Sequence, residues 1–335
     1  MLHHVHDSGM ITTVAPTPNA EGDEPDKACL EESPQFIIYN STDQNSGDRF
    51  NQGLTPSQNY ASNGMDKILT VYYQYFNDAH PYILPRRHLI SRLQTNYASL
   101  MHLVLILKFI SSIYALNSVS HGLHAELDME FGILPPNGFS VQALLLLAIT
   151  TLCCGKSDQA RKTLDRAISM ALEIKMNSRE FATENGEGNP VLEECWRRTW
   201  WGLFVVDGTF AGIRRESYFT CWTAVTNTDL PCEEREYSRG KIPVPMTLDE
   251  YESREFAEDE IVFSPFTYLI DAVHIIGATM EANLEYGVTL DSIVGRANIR
   301  WTNWFLYLPP SKQDMMKANG RTNEILFQAH ILINT

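Results

Sequence analysis

From Thr199 to Phe210 the sequence reads TWWGLFVVDGTF, a helical stretch that is apolar on nearly every side. A helix without a polar face cannot lie on a surface, so other elements have to wrap it. That demand excludes a small stapled scaffold and calls for a domain with a sizeable core. The chain has 335 residues, 44% of them hydrophobic, enough for one large domain or two smaller ones. Strand signals are nearly absent. The expected fold class is therefore all-α, a multi-helix bundle or array with irregular loops and a disordered acidic N-terminal leader.

Residues 1–64 are rich in Asp, Glu, Asn, Ser, Pro and Gly. Such a segment cannot bury enough surface to offset chain entropy, and it is expected to be the acidic leader or linker. Residues 65–335 are expected to form the helical domain. A first helix should run from Asp66 to about Asn77, ended by His80-Pro81, with Leu84-Pro85 introducing the next. The stretch NYASLMHLVLILKFISSIYALNSV then predicts a long, mostly buried helix. A helical hairpin follows, with Ser140 and Ser157 as the two caps and Gly155 in the left-handed position between them. In its second helix Ala160, Leu164, Ala167, Ile168, Ala171 and Leu172 share one face, while Arg161 lies on the polar side.

The helix that carries the opening stretch begins near Val191. Glu193 precedes Arg197 by four residues and Glu194 precedes Arg198 by four, which predicts two favourable pairs on a half-solvated first turn. At the other end of the chain, RTNEILFQAHILINT places Ile325, Leu326, Ala329, Leu332 and Ile333 on one face, with no capping glycine or proline after it. From this the domain is expected to be incomplete at its C-terminus, to leave that apolar strip uncovered, and to be prone to self-association.

Charge and motifs narrow the function. A net charge of -15 with a sequence pI near 5.1 repels phosphate backbones and anionic headgroups, so neither direct nucleic-acid binding nor a membrane surface is expected. The apolar runs Leu100 to Leu116 and Val141 to Cys154 fall short of the roughly 20 residues that a span needs, and they read as core helices. Cys29, Cys153, Cys154, Cys195, Cys221 and Cys232 include no CxxC pair, so no metal site is expected. Cys153 and Cys154 are expected to be one buried and one half-buried. His3, His4 and His6 sit in the leader. His121, His124 and Glu126 meet on one helix face, but beside Gly122 at a fraying end, and are not expected to hold a metal. There is no HExxH, no GxSxG, no phosphate-cradling glycine loop and no Asp-rich metal motif of the terpene-cyclase kind. No catalytic residue and no cofactor are expected, and the chain does not read as an enzyme. With no secretory signal at the N-terminus, an intracellular protein is expected.

The segments YFNDAHPYILPRRHLI, GFSVQALLLLAITTLCCGKSDQARKTLDRAISMALEI, EECWRRTWWGLFVVD and TDLPCEEREY resemble, in order and spacing, the middle regulatory region of fungal zinc-cluster transcription factors, the fungal-specific transcription factor domain. The resemblance rests on Arg197, Arg198, Trp200, Trp201 and Asp207, on Ser140 and Gln142, and on Pro231. It implies an all-helical regulatory domain, a nuclear protein and a role in transcription, with control of a secondary-metabolite gene cluster as the finer implication. Action would be through other regulatory proteins or a small-molecule effector. The family's six-cysteine, two-zinc DNA-binding module has no counterpart here, so zinc and DNA contacts are expected only in such a module and not in this chain. The family also usually has an arginine after the aspartate, where this sequence has Gly208. An interaction scaffold and a helical enzyme of the terpene-cyclase type are the alternatives.

Two roles stand open for the charged members of the motif. Arg197, Asp207 and Arg214 are candidate contacts for a charged effector, because guanidinium groups suit carboxylate or phosphate and a buried carboxylate suits an amine. Alternatively, Arg197 and Arg198 pair with Glu193, Glu194 or neighbouring carbonyls, and Asp207 pairs with Arg214 or an arginine from another helix. A carboxylate in an apolar stretch must have some partner.

Overall fold

A computed structural model describes residues 56–116, 131–254, 261–284, 286–317 and 320–334. Helix α1 (Pro56–Tyr75) ends ahead of the His80-Pro81 turn, and Pro85 stands just before α2 (Arg86–Thr95). A 3-10 turn over Tyr97–Leu100 runs into α3 (Met101–Leu116). The hairpin is α4 (Gly138–Cys153) and α5 (Ser157–Glu173), followed by α6 (Arg179–Glu184) and the long α7 (Pro190–Arg214). Three short helices come next: α8 (Thr220–Thr223), α9 (Glu234–Arg239) and α10 (Leu248–Glu252). The last are α11 (Pro265–Leu284), α12 (Leu290–Leu306), α13 (Pro310–Gln313) and α14 (Glu324–Asn334). Among the described residues there is no strand, only an isolated bridge between Met316 and Thr322. The all-α expectation holds.

The position of α7 accounts for its composition. It packs against α4, α5, α6, α8 and α11, which leaves it almost no face toward water. It meets α11 closely at Gly208, where a Cβ would stand 2.4 Å from Val273 Cγ1. A side chain there, including the arginine that the resemblance leads one to expect, would require Val273 to move. The hairpin packs as its alanines predict, with Ala160, Leu164, Ala167, Ile168 and Ala171 buried and Leu172 half-buried. Tyr97–Ala115, 19 residues, is long and apolar enough to cross a membrane. In this fold it packs against α1 and α4, and Leu103, Ile106, Leu107 and Ile110 are buried in the core.

Several local expectations need correction. The first helix begins at Pro56, ahead of Asp66. The cap of α4 is Asn137, whose side chain accepts the Ser140 N–H at 3.0 Å, and Ser140 itself is buried one turn in. Gly155 does take the left-handed conformation, at φ 76°. Ser157 is the first residue of α5 rather than its cap, and its hydroxyl accepts a hydrogen bond from Arg214 at 2.9 Å. Cys153 and Cys154 are both exposed, because they end α4 beyond the part that the core covers. The C-terminal strip is covered: Ile325, Leu326, Ala329 and Ile333 are buried, Leu332 is half-buried, and α14 packs on α11. Residues 56–64 of the expected leader belong to α1, whereas residues 1–55, with His3, His4, His6 and Cys29, and the group His121, His124 and Glu126 lie outside the described residues.

Two histidines carry a pH dependence. Burial pushes His80 and His274 from the ordinary value of about 6.5 down to about 4. Their neutral forms contribute full stability above about pH 6.5. It is lost as the pH falls toward 4, where the unfolded chain binds protons that the folded chain refuses. The urea midpoint should therefore drop between pH 7 and pH 5. A His80→Phe, His274→Phe double variant should lose less over the same interval; an equal loss would show that other groups set the slope.

Candidate functional site

The first turns of α7 hold three charges inside the protein. Glu194 and Arg198 are each 1% exposed and Arg197 is 4% exposed. Glu194 Oε2 accepts from Arg197 Nε at 3.0 Å, and its Oε1 accepts from Arg198 Nε at 2.8 Å and from the Cys232 backbone N–H at 2.9 Å. This turn is therefore buried rather than half-solvated, and Arg197 pairs with Glu194 instead of Glu193. The reason is a loop that the helical spacing does not reveal, residues 228–234, laid directly over the pair.

Arg198 reaches furthest. It donates to Glu234 Oε2 at 2.6 Å and to the Cys232 carbonyl at 2.8 Å, and its guanidinium stacks 4.1 Å from the Tyr237 ring centroid. Burial opposes its charge, but Glu234 and Glu194 more than offset that, so its pKa is raised above the usual arginine value. Tyr237 in turn donates to the Ile83 carbonyl at 3.1 Å.

The rest of the motif pins the same two loops. Trp201 Nε1 donates to the Asp229 carbonyl at 2.9 Å, and Ser264 donates to the carbonyl of the buried Pro231 at 2.8 Å. Gln142, fully buried in α4, donates to the Tyr82 carbonyl at 2.9 Å and lies 2.8 Å from Thr199 Oγ1. Trp200 is fully buried. The segments around Tyr82, Gln142, Trp200 and Pro231 thus form one clasp centred on α7.

Asp207, two turns further on, forms a second polar centre and is fully buried. Its Oδ1 accepts from Arg161 Nη1 at 2.7 Å and its Oδ2 from the Cys221 backbone N–H at 2.9 Å. Its partner is thus an arginine from another helix, α5, rather than Arg214. Burial works against the charge of Arg161, but Asp165 and Asp207 raise its pKa above the ordinary value. Arg214, exposed, pairs instead with Asp158 at 3.0 Å and Glu216 at 2.9 Å.

These contacts define what the centres can do. Arg197, Arg198 and Asp207 each have a protein partner; of the three candidate effector contacts, Asp207 and Arg214 share a network through Arg161 and Glu216, and Arg197 belongs to the Glu194 centre. Arg161, Cys232, Glu234 and Tyr237 complete the ties and were not singled out by sequence reasoning. Arg161 left a signal as a cation one residue beyond the start of an apolar helical face, and the other three lie in the TDLPCEEREY segment that carries the resemblance. No group of three or more His, Cys, Asp or Glu side chains gathers among the described residues, and Cys195 and Cys221 are buried apart, on α7 and α8.

Trp200→Ala should cost about 3–5 kcal/mol in chemical denaturation, the usual range for emptying a tryptophan site in a core. Arg198→Ala should cost a similar ~3–5 kcal/mol, because it leaves Glu194 and the Cys232 carbonyl without their donor. Wild-type midpoints in both variants would remove the clasp from the stability of the fold.

Comparison with known proteins places these features. Residues 74–280 match the family described as fungal specific transcription factor domain. A C6 finger domain transcription factor of Pestalotiopsis fici, iacK, is 33% identical over 270 residues, covering 80% of this chain and 40% of that protein. The chain thus spans less than half the length of this relative. No solved structure matches. The clasp residues from Tyr82 to Tyr237, the Asp207 centre and α11 as far as Met280 all fall within the matched region, and the chain belongs to the fungal specific transcription factor domain family.

Proposed function

We propose that this chain regulates transcription as a non-catalytic helical domain in the nucleus, acting through other regulatory proteins or a small effector. The observation that carries this is the family match over residues 74–280, together with a clasp that ties the matching segments to one another. A net charge of -15 opposes DNA contact by these 335 residues, so the domain responds to or recruits other molecules rather than reading bases. The finer proposal, drawn from the resemblance, is control of a secondary-metabolite biosynthetic gene cluster. Zinc belongs, on this proposal, to a cysteine-rich DNA-binding module and not to the helical domain.

The whole chain, tethered to an unrelated DNA-binding module upstream of a reporter in a fungal host, should change reporter output several-fold. The untethered chain should leave it at baseline. A folded, nuclear fusion that leaves the reporter unchanged would count against the proposal.

A further inference from the structure

A groove of about 370 Å³, apart from the clasp, is bordered by α3, α4 and α5 and by Phe131 and Gly132. Its apolar side is a stripe of α4 at helical spacing, Leu144, Leu147 and Thr151, with Phe109 of α3 beside it. Leu147 is half-buried, and Ile133, next to Gly132, is 92% exposed. Apolar surface thus stays open to water at this place, on the far side of the hairpin from the charged centres of α7.

The α5 side of the groove is cationic. Gln159, Lys162, Thr163 and Arg166 share one face of α5 at i, i+3, i+4 and i+7, and Lys156 stands just before the helix. Lys156 and Lys162 are exposed, with no ion pair among the described residues. Arg166 is half-buried and anchored: it donates to the Phe131 carbonyl and, at 3.1 Å, to the Gly132 carbonyl, which fixes its position without a carboxylate to neutralise it. The nearest acids of α5 are used elsewhere, Asp158 by Arg214 at 3.0 Å and Asp165 by Arg161. No carboxylate stands among the described residues that line the groove. In a chain of net charge -15, three cations gathered without one run against the trend of the sequence.

We propose that this groove docks an acidic amphipathic helix of a partner protein, with apolar side chains entering over Leu147 and Ile133 and carboxylates lying along Lys156, Lys162 and Arg166. Charge complementarity selects the sign of the partner. Spacing selects its form: Lys156 to Arg166 covers about ten residues at about 1.5 Å each, roughly 15 Å, further than one small anion reaches and matched by carboxylates a few turns apart on a helix beside α5. A phosphate backbone would make no use of the apolar stripe. The acidic remainder of the chain does not prevent docking, because exposed charges more than about 8 Å away are largely screened at physiological salt. The site rests on the proposal that the domain acts through other regulatory proteins, and it gives one such partner a chemistry.

The test follows, by fluorescence anisotropy at physiological salt, the whole chain titrated into a labelled peptide of about 18 residues with leucine at i, i+3, i+4 and i+7 and glutamate elsewhere. One comparison peptide has lysine for every glutamate, and another has the same composition scrambled. The glutamate peptide should bind about tenfold or more tighter than either, and less tightly as salt is raised. The double variant Lys156→Glu, Lys162→Glu, at two exposed positions, should weaken it about tenfold or more at an unchanged denaturation midpoint. Arg300→Glu, at an exposed cation outside the groove, should leave the affinity as it is. Absent binding, equal binding of the scrambled peptide, or an equal loss in Arg300→Glu would each overturn the assignment. So would binding gained only after Glu126→Gln, Asp128→Asn and Glu130→Gln, which would give the groove to that acidic stretch of the same chain. The titration needs no reporter. Failed binding beside an active tethered fusion would sink the groove alone, and a silent fusion would sink the regulatory proposal.

Discussion

The ion pair between Glu194 and Arg198 is the constraint from which much of the architecture follows. Both groups are nearly inaccessible to water, and a buried charge is tolerated only when its remaining hydrogen-bonding capacity is filled. Filling it brings Cys232 and Glu234 over the first turns of α7 and sets Tyr237 against the guanidinium. Tyr237 then reaches Ile83, so the irregular segment between α1 and α2 is tied down as well. Loops that carry no regular hydrogen-bonded ladder thus acquire a fixed place.

Asp207 repeats the solution with different means. Arg161 comes from the hairpin and Cys221 from the start of α8, so this carboxylate joins α5 and α8 to α7. Between the two centres α7 is a buried apolar rod. Hydrophobic contact gives it stability without direction, and the charges at each end fix its register against its neighbours.

The sequence exposed those parts of the fold that depend on helical period. The face running from Ala160 through Leu164 to Ala171, the left-handed Gly155 and the burial of Thr199 to Phe210 follow from local pattern and composition. Asp207 was legible as a carboxylate in need of a partner, but the identity of Arg161 was not, because 46 residues separate the two. Glu194 was misplaced toward solvent for the same reason: its surroundings come from residues 228–234, which have no period to read. The covering of Ile325 and Leu326 depends on α11, and no property of the last helix announces it.

The all-round burial of α7 bears on how the chain reaches its native state. Its partners come from both directions along the chain, from Tyr82, Gln142 and Arg161 before it and from Cys221, Asp229 and Glu234 after it. Contacts of such sequence separation are slow to form, because the intervening chain must be closed first. During synthesis α7 leaves the ribosome with three tryptophans and four charges ready for a core whose second half does not yet exist. Until α11 is made, the nascent chain leaves an apolar face of α7 uncovered, the kind of transient surface that favours aggregation over folding.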